Sequence, residues 1–510
     1  MSSLDAVSPE GQSTCIKPAS SSYFSMASLV WIYLAVGIIY LSHKVVRRAF
    51  FTPLRGIPGP WYASLVNWRL KIAVLGGARA DYIHALHQLY GPIVRIAPNE
   101  IAINDPASFK DIHKIGSGFN KTNWYEYLNT NGVGKCPGVF NITNPKEHAA
   151  RRKLLARGFS QRHIREQWES VVCEKVDLAV ARIKSNATSG TADVLKWWTY
   201  LATDVSAHLM FGESFHMLES GKRVPYIEAL EKATICSAIS WELPLVYWIG
   251  RRLPFPAMRA IFYANSVLLE QGGVAIKNSK SQEYQTSNIF ATAINEAEKG
   301  DGTMTDEEVQ TEAGNLIVAG SDTTGITLTY LTWCVLKQPA LQKALEEEVS
   351  EADGLLTDAS LEQLPILNAV IEETLRLYGA APATLPRLTP KGGATFRDYY
   401  IPAGTVVGTQ SYSLHRDPQL FANPDKFDHT RWLPPNELSP LAKAVFSPFG
   451  AGSRVCIGIH LARMELRLAT AKFFRECKGA KLAPSTTDES MKPVNFFLIT
   501  PQAHKCEINM

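Results

Sequence analysis

The sequence predicts a mainly α-helical protein with minor β-sheets, set behind a single N-terminal transmembrane helix. Three observations lead there: one charge-free apolar run near the start, apolar residues at helical spacing through most of the chain, and two short stretches of alternating residues around Pro and Gly turns. No repeat or low-complexity linker interrupts the 510 residues after residue 60, so residues 62–510 read as one large domain. A net charge of +4 with 20% charged residues is too weakly basic to imply a nucleic-acid partner. The eight cysteines, at 15, 136, 173, 236, 334, 456, 477 and 506, form no C-x-x-C pair, which argues against zinc and against a disulfide framework.

Residues 1–22 are an N-terminal tail. Residues 23–41, YFSMASLVWIYLAVGIIYL, carry no charge and suffice to cross a bilayer core at about 1.5 Å per residue. Lys44, Arg47 and Arg48 follow at once, whereas the tail carries only Lys17, and this asymmetry places the bulk of the chain in the cytosol. It also runs against a cleaved signal peptide, in which the basic residues precede the apolar core. Sequons at Asn120, Asn141 and Asn186 would matter only on the lumenal side. Residues 42–61 form a basic, proline-rich hinge that ends Pro58-Gly59-Pro60-Trp61, too rich in Pro and Gly for helix.

Beyond the hinge, Ile93–Ala97 and Ile101–Ile103 alternate around Pro98-Asn99 and read as a hairpin, and residues 395–408 hold a second strand–turn–strand around Pro402-Ala403-Gly404. A long helix starts at Thr305-Asp306-Glu307-Glu308, where Thr305 and Glu308 can form a capping box, and runs to about Leu336, before Gln338-Pro339. Its middle, Ala319-Gly320-Ser321-Asp322-Thr323-Thr324, is a poor helix: Gly alone costs up to about 1 kcal/mol relative to Ala. The expected compensation is a bare surface at Ala319 and Gly320 for small molecules, with Asp322 and Thr323 organising protons. A further helix, opened by a capping box of Ser360 and Gln363, carries Glu373 and Arg376 three apart on one face.

The most informative segment is Phe449 to Gly458, which reads F-x-x-G-x-R-x-C-x-G. Gly452 and Gly458 would let backbone approach a flat cofactor, and Arg454 offers a guanidinium to a carboxylate. A helix from Ile459 would hold Cys456 as thiolate at its N-terminus. Thiolate ligation makes haem iron electron-rich and favours O–O cleavage.

This segment resembles the haem-binding loop of the cytochrome P-450 monooxygenases. The resemblance covers nearly the whole chain from about residue 50, with the motifs in the family's order, and is closest to fungal membrane-anchored members that tailor secondary metabolites such as polyketides and terpenoids. It implies the P-450 fold and a haem b whose axial thiolate is Cys456, in a loop shaped by Phe449, Gly452 and Gly458. It places Arg454, Arg387, His148 and Arg152 at the propionates, with His148 where the family often has Trp. It gives Asp322 and Thr323 to proton delivery, and Glu373, Arg376 and Arg431 to a buried structural triad. Arg431-Trp432 follows Pro424-x-x-Phe427 as that pattern requires.

The substrate pocket implied by the resemblance is largely apolar: Trp124, Tyr125, Tyr127, Val139, Phe140, residues 235–241 and 380–385, Phe496 and Phe497. Aromatics beside arginines in residues 241–252 read as a segment dipping into the membrane interface. The implied reaction inserts one oxygen atom from O2 into a hydrophobic small molecule at the endoplasmic reticulum membrane, with the catalytic domain facing the cytosol. NADPH enters only indirectly, through a separate flavoprotein, an NADPH-cytochrome reductase, since no G-x-G-x-x-G stands between a strand and a helix. A haem-thiolate desaturase, ring-closing enzyme or isomerase is the alternative, and a haem sensor without turnover would not need Asp322 and Thr323.

Overall fold

The long helix begins and ends where the sequence places it, at Asp306 and Leu336. Thr305 Oγ1 accepts from the Glu308 amide at 3.3 Å, and the Glu308 carboxylate accepts from the Thr305 amide at 2.8 Å, closing the capping box. This helix runs through the largest hydrophobic core. It crosses the helix Val194–Phe211 so closely that a Cβ on Gly325 would lie 2.8 Å from Thr199 Cα, and one on Gly320 would collide with Ser206 Oγ. The two glycines therefore set the interhelical distance, and dispersion contacts along that crossing offset their poor helix propensity. Only the Ala319 half of the expected bare surface holds: Gly320 faces a neighbouring helix.

The computed structural model describes residues 26–128, 136–256, 261, 288–290, 304–352, 354 and 356–510. It divides into two units at Thr52–Pro53. In the first, one helix, Met26–Phe50, is long and apolar enough to cross a membrane. The helix continues beyond Leu41, so Lys44, Arg47 and Arg48 ride on its last turns, and the irregular hinge starts only at Phe51. No Pro or Gly occurs between residues 42 and 50 to stop it.

The second unit is mainly helical. Its largest core packs Gln161–Ser189, Val194–Phe211, the central helix, Pro365–Tyr378 and Ile459–Glu476 against one another, with Trp198 buried on Phe473 at a ring distance of 5.8 Å. A five-stranded sheet runs in the order Ile93–Ala97, Glu100–Ile103, Val406–Gly408, Arg387–Leu388, Asn120–Lys121. The first pair is the expected hairpin, with a register shift between Arg95 and Ala97. Only the Glu100–Ile103 and Val406–Gly408 pair is parallel. The sheet brings Arg387 opposite Lys121, although 266 residues separate their positions in the chain.

One expected cap is placed differently. Ser360 belongs to a short helix, Asp358–Leu361, capped by Thr357, while the Glu373 helix starts at Pro365 with no capping side chain at Leu364. Its free amides at Ile366 and Leu367 donate instead to the Glu348 carboxylate, each at 2.7 Å. A distant acid thus serves as the cap, which a local motif cannot reveal.

Candidate active site

The loop from Phe449 to Gly458 closes on itself through the Cys456 amide, which donates to the Phe449 carbonyl at 2.9 Å. Phe449 packs against the main core and under the Arg463 guanidinium. Gly458 lies beside the thiol: a Cβ there would sit 3.9 Å from Cys456 Sγ, an ordinary contact distance. Gly452 does not support its expected use. At φ +64° its missing Cβ would collide with the carbonyl oxygen of His113, so this glycine fits the loop against the helix Pro106–His113 and not against a cofactor. Gly452→Ala should therefore cost about 3 kcal/mol, left-handed strain plus overpacking, whereas Gly479→Ala, at φ +73° in open space, should cost only the strain of about 1 kcal/mol. Thermal unfolding of the two variants measures the difference; equal losses would mean that the His113 backbone yields freely.

Cys456 lies just before the helix Ile459–Glu476, as expected, and retains accessible surface. Protein nonetheless crowds the sulfur, and burial pushes its thiol up, against the opposing pull of the Gly458 amide and of Arg152. The helix start alone thus does not make the thiolate; a metal bound to sulfur would. The central helix shows a matching feature: Ala319 is exposed and Asp322 and Thr323 are half-buried, between turns where Ile317, Ser321 and Thr324 are buried. Thr323 Oγ1 donates to the Ala319 carbonyl at 2.7 Å.

The expected propionate partners converge. Arg152 donates to the Val455 carbonyl at 2.8 Å, and Arg454 to the carbonyls of Ile142 and Thr143 at 2.8 and 3.3 Å. Arg387 is buried and donates to the Tyr125 hydroxyl. His148 is buried on the helix Pro145–Ala156; burial, then Arg454, Lys121 and Arg152, lower its pKa to about 3, so it stands as a neutral imidazole. Arg151 turns the other way, to Glu312 at 2.9 Å and to Glu308, and this fixes the face on which His148 and Arg152 are presented.

Sequence reasoning missed Lys121. Its ammonium donates to the Phe140 carbonyl and lies 4.2 Å from the Tyr125 ring centre and 4.4 Å from that of Phe140. Burial, then Arg387 and Arg454, lower its pKa well below the usual lysine range. Among the described residues, no carboxylate pairs with Lys121, Arg152, Arg387 or Arg454. Four basic side chains held together without an acid are unfavourable as cations, Lys121 above all, unless an anion joins them. A dianionic macrocycle whose iron takes the Cys456 sulfur meets that requirement, so the residues present fit a haem. A lone lysine on a two-residue strand gives no periodic signal; only its pairing with Arg387 reveals it.

The Glu373 triad forms as expected. Arg376 binds the Glu373 carboxylate through Nε and Nη2, both at 2.8 Å, and Arg431 Nε binds it at 3.0 Å, with all three residues buried. Several pocket residues also meet: the rings of Trp124 and Phe497 lie 6.0 Å apart, Phe140 and Phe497 6.1 Å, and Tyr125 and Phe140 5.4 Å. Tyr127 instead pairs with Trp241 at 4.9 Å.

A mainly helical domain with accessible Cys456 beside an acid-free cluster of basic side chains fits a haem-thiolate oxidoreductase. The chain belongs to the cytochrome P450 family, whose model matches residues 58–507. It is 45% identical to cytochrome P450 monooxygenase stcB of Emericella nidulans, over 92% of this chain and 90% of that one. It is 44% identical to cytochrome P450 monooxygenase aflV of Aspergillus parasiticus, over 94% and 97%. The haem domain of a cytochrome P450DA mutant shares the fold, with a TM-score of 0.74 at 20% identity, over 89% of this chain and 97% of that one. The protein is thus an oxygen-incorporating oxidoreductase that uses haem-thiolate iron.

Proposed function

We propose that this enzyme inserts one oxygen atom from O2 into a hydrophobic small molecule, a polyketide or terpenoid intermediate of fungal secondary metabolism. The observation that carries the reading is the accessible Cys456 beside Lys121, Arg152, Arg387 and Arg454, with no acid among them. In this reading Cys456 would bind the haem iron through its sulfur, and those basic side chains with neutral His148 would hold the two propionates. The haem, when bound, supplies the iron at which O2 is reduced and its O–O bond cleaved.

The chain's own contribution to that cleavage is protons. Thr323 directs its O–H at the Ala319 carbonyl, which leaves the oxygen lone pairs free to accept from a neighbouring water. Rotating the O–H away from the carbonyl then delivers the proton, and Asp322, the adjacent half-buried carboxylate, replaces it through water. Thr323→Ala should lower product formed per NADPH by about tenfold, less than the roughly 10²-fold or more usual for a positioned donor because water can substitute, while electrons escape as hydrogen peroxide. An unchanged ratio of product to NADPH would remove Thr323 from this role.

The apolar helix Met26–Phe50 supports a membrane anchor, and the basic residues on its last turns favour the cytosolic face of the endoplasmic reticulum. The segment expected at the membrane interface supports a lipid-facing mouth: Trp241, Leu245, Val246, Trp248 and Ile249 are exposed, while Arg252 lies 3.8 Å over the Trp248 ring. Electrons come from NADPH through a separate flavoprotein reductase. Deleting the gene and comparing extracts by accurate mass tests the reaction. A precursor one oxygen lighter than the lost product supports insertion, and one heavier by two hydrogens replaces it with desaturation or ring closure.

A further inference from the structure

We propose that Arg79 and Thr384 form a recognition subsite for an oxygen substituent on a planar aromatic substrate, at the outer end of the aromatic wall that leads to the cationic cluster. This rests on the monooxygenase reading above. Arg79 opens the helix Arg79–Tyr90 and is only 8% exposed. Its Nη2 is bound to Glu100 Oε1 at 3.0 Å, but its Nε–H has no partner. Thr384, 3% exposed, likewise carries a hydroxyl without a partner. Both line one narrow cleft, whose remaining walls include Trp124, Leu385, Phe496 and Phe497. Two buried donors without acceptors in one cleft mark a place where an oxygen belongs, because leaving them unmade is the costly state.

The surroundings hold these donors in place. The hairpin of Pro493–Asn495 and Ile499–Pro501 carries Phe496 and Phe497 at its tip and is tied to the chain just before Arg79: the Asn495 amide donates to the Gly77 carbonyl at 2.6 Å, and Asn495 bridges Ala78. A Cβ on Gly77 would fall 3.2 Å from the Phe496 ring. Thr384 is fixed by its methyl, which occupies the space that a side chain on Gly408 would need. Trp124 and Phe497 belong to both the cleft and the ring cluster, which reaches Tyr125 and, through its hydroxyl, Arg387.

Three aromatic walls select a flat π-system, and the two donors select an oxygen on its rim. Glu100 already offsets the charge of Arg79, so the cleft carries little net positive charge. That balance favours a phenolic or quinone-type oxygen over a free carboxylate. Thr384 can both donate and accept, which suits a phenol.

The test uses the full-length holoenzyme and two variants. Arg79→Lys keeps a cation for Glu100 but removes the Nε–H; Thr384→Val keeps the methyl and removes the hydroxyl. Displacement of the haem Soret band is titrated with 2-naphthol and with 2-methylnaphthalene, which match in shape and differ in the oxygen. The ratio of the two affinities, in which partition into lipid cancels between enzymes, should fall about tenfold in Arg79→Lys and about threefold in Thr384→Val, with the 2-methylnaphthalene affinity unchanged. A ratio within twofold of the wild type in both variants, meaning that the cleft holds only water, overturns the proposal. The carbon-monoxide spectrum of each protein is recorded first. A wild type without a thiolate-type band sinks the haem-thiolate reading itself, and a loss of that band in Arg79→Lys alone leaves Thr384→Val to decide.

Discussion

Cys456→Ser enzyme is expected to lose the red-shifted carbon-monoxide band of a thiolate haem and to form product at least about 10³-fold more slowly, a loss of order 4 kcal/mol in the barrier. The polar influences on Cys456 are the Gly458 amide and Arg152, and burial opposes both. An alkoxide is far harder to form than a thiolate in that setting, so a serine would present a neutral hydroxyl, a poor ligand without the electron donation that drives O–O cleavage. Arg454 and Arg387, two of the proposed propionate partners, do not touch the substituted atom: Arg454 holds carbonyls of the Ile142–Thr143 segment, and Arg387 holds Tyr125. Haem retained with a shifted band and negligible turnover is therefore the expected outcome. Full turnover by the serine enzyme would show that the thiolate contributes nothing to the chemistry.

The sequence was legible wherever chemistry is local. Thr305 and Glu308 start the central helix because a capping box needs only four residues, and Gln338-Pro339 stops it because proline cannot continue a helix. The Phe449–Gly458 loop was legible for the same reason, since its residue types and spacing stand in one decapeptide. What escaped was the work that depends on a partner far along the chain. Gly452 and Gly320 read as bare surface, yet each makes room for another element, the His113 carbonyl and Ser206. Lys121 carries no motif, and its place in the cationic cluster follows from antiparallel pairing with the Arg387 strand. Glu348 caps the Glu373 helix from a different helix altogether. Side-chain identity says what a residue can do, and only the packing says to whom.

The Glu373 triad carries the second large prediction. The Glu373 carboxylate accepts five hydrogen bonds: two from Arg376, one from Arg431, one from the Trp432 indole at 3.0 Å and one from the Asp428 amide at 2.9 Å. Glu373→Ala would leave two guanidinium groups buried without a counter-charge, for which about 3–5 kcal/mol is the usual loss, a large part of the stability of a folded domain. The damage should also reach the thiolate loop. Arg376 donates to the His415 carbonyl at 2.7 Å, and His415, whose pKa burial lowers to about 3, bonds back to the Arg376 carbonyl through Nδ1 at 3.1 Å. Its other nitrogen accepts the Ser447 amide at 3.0 Å, two residues before Phe449. Neutral His415 must therefore carry its proton on Nδ1, and it transmits the position of Arg376 to the start of the loop that holds Cys456. Glu373→Ala protein should be recovered with little haem and a lowered unfolding temperature. Glu373→Gln, which keeps one acceptor oxygen but not the charge, should fall between it and the wild type. If Glu373→Gln loaded haem and unfolded like the wild type, hydrogen-bond geometry alone would suffice, and the charge balance argued for this triad would be wrong.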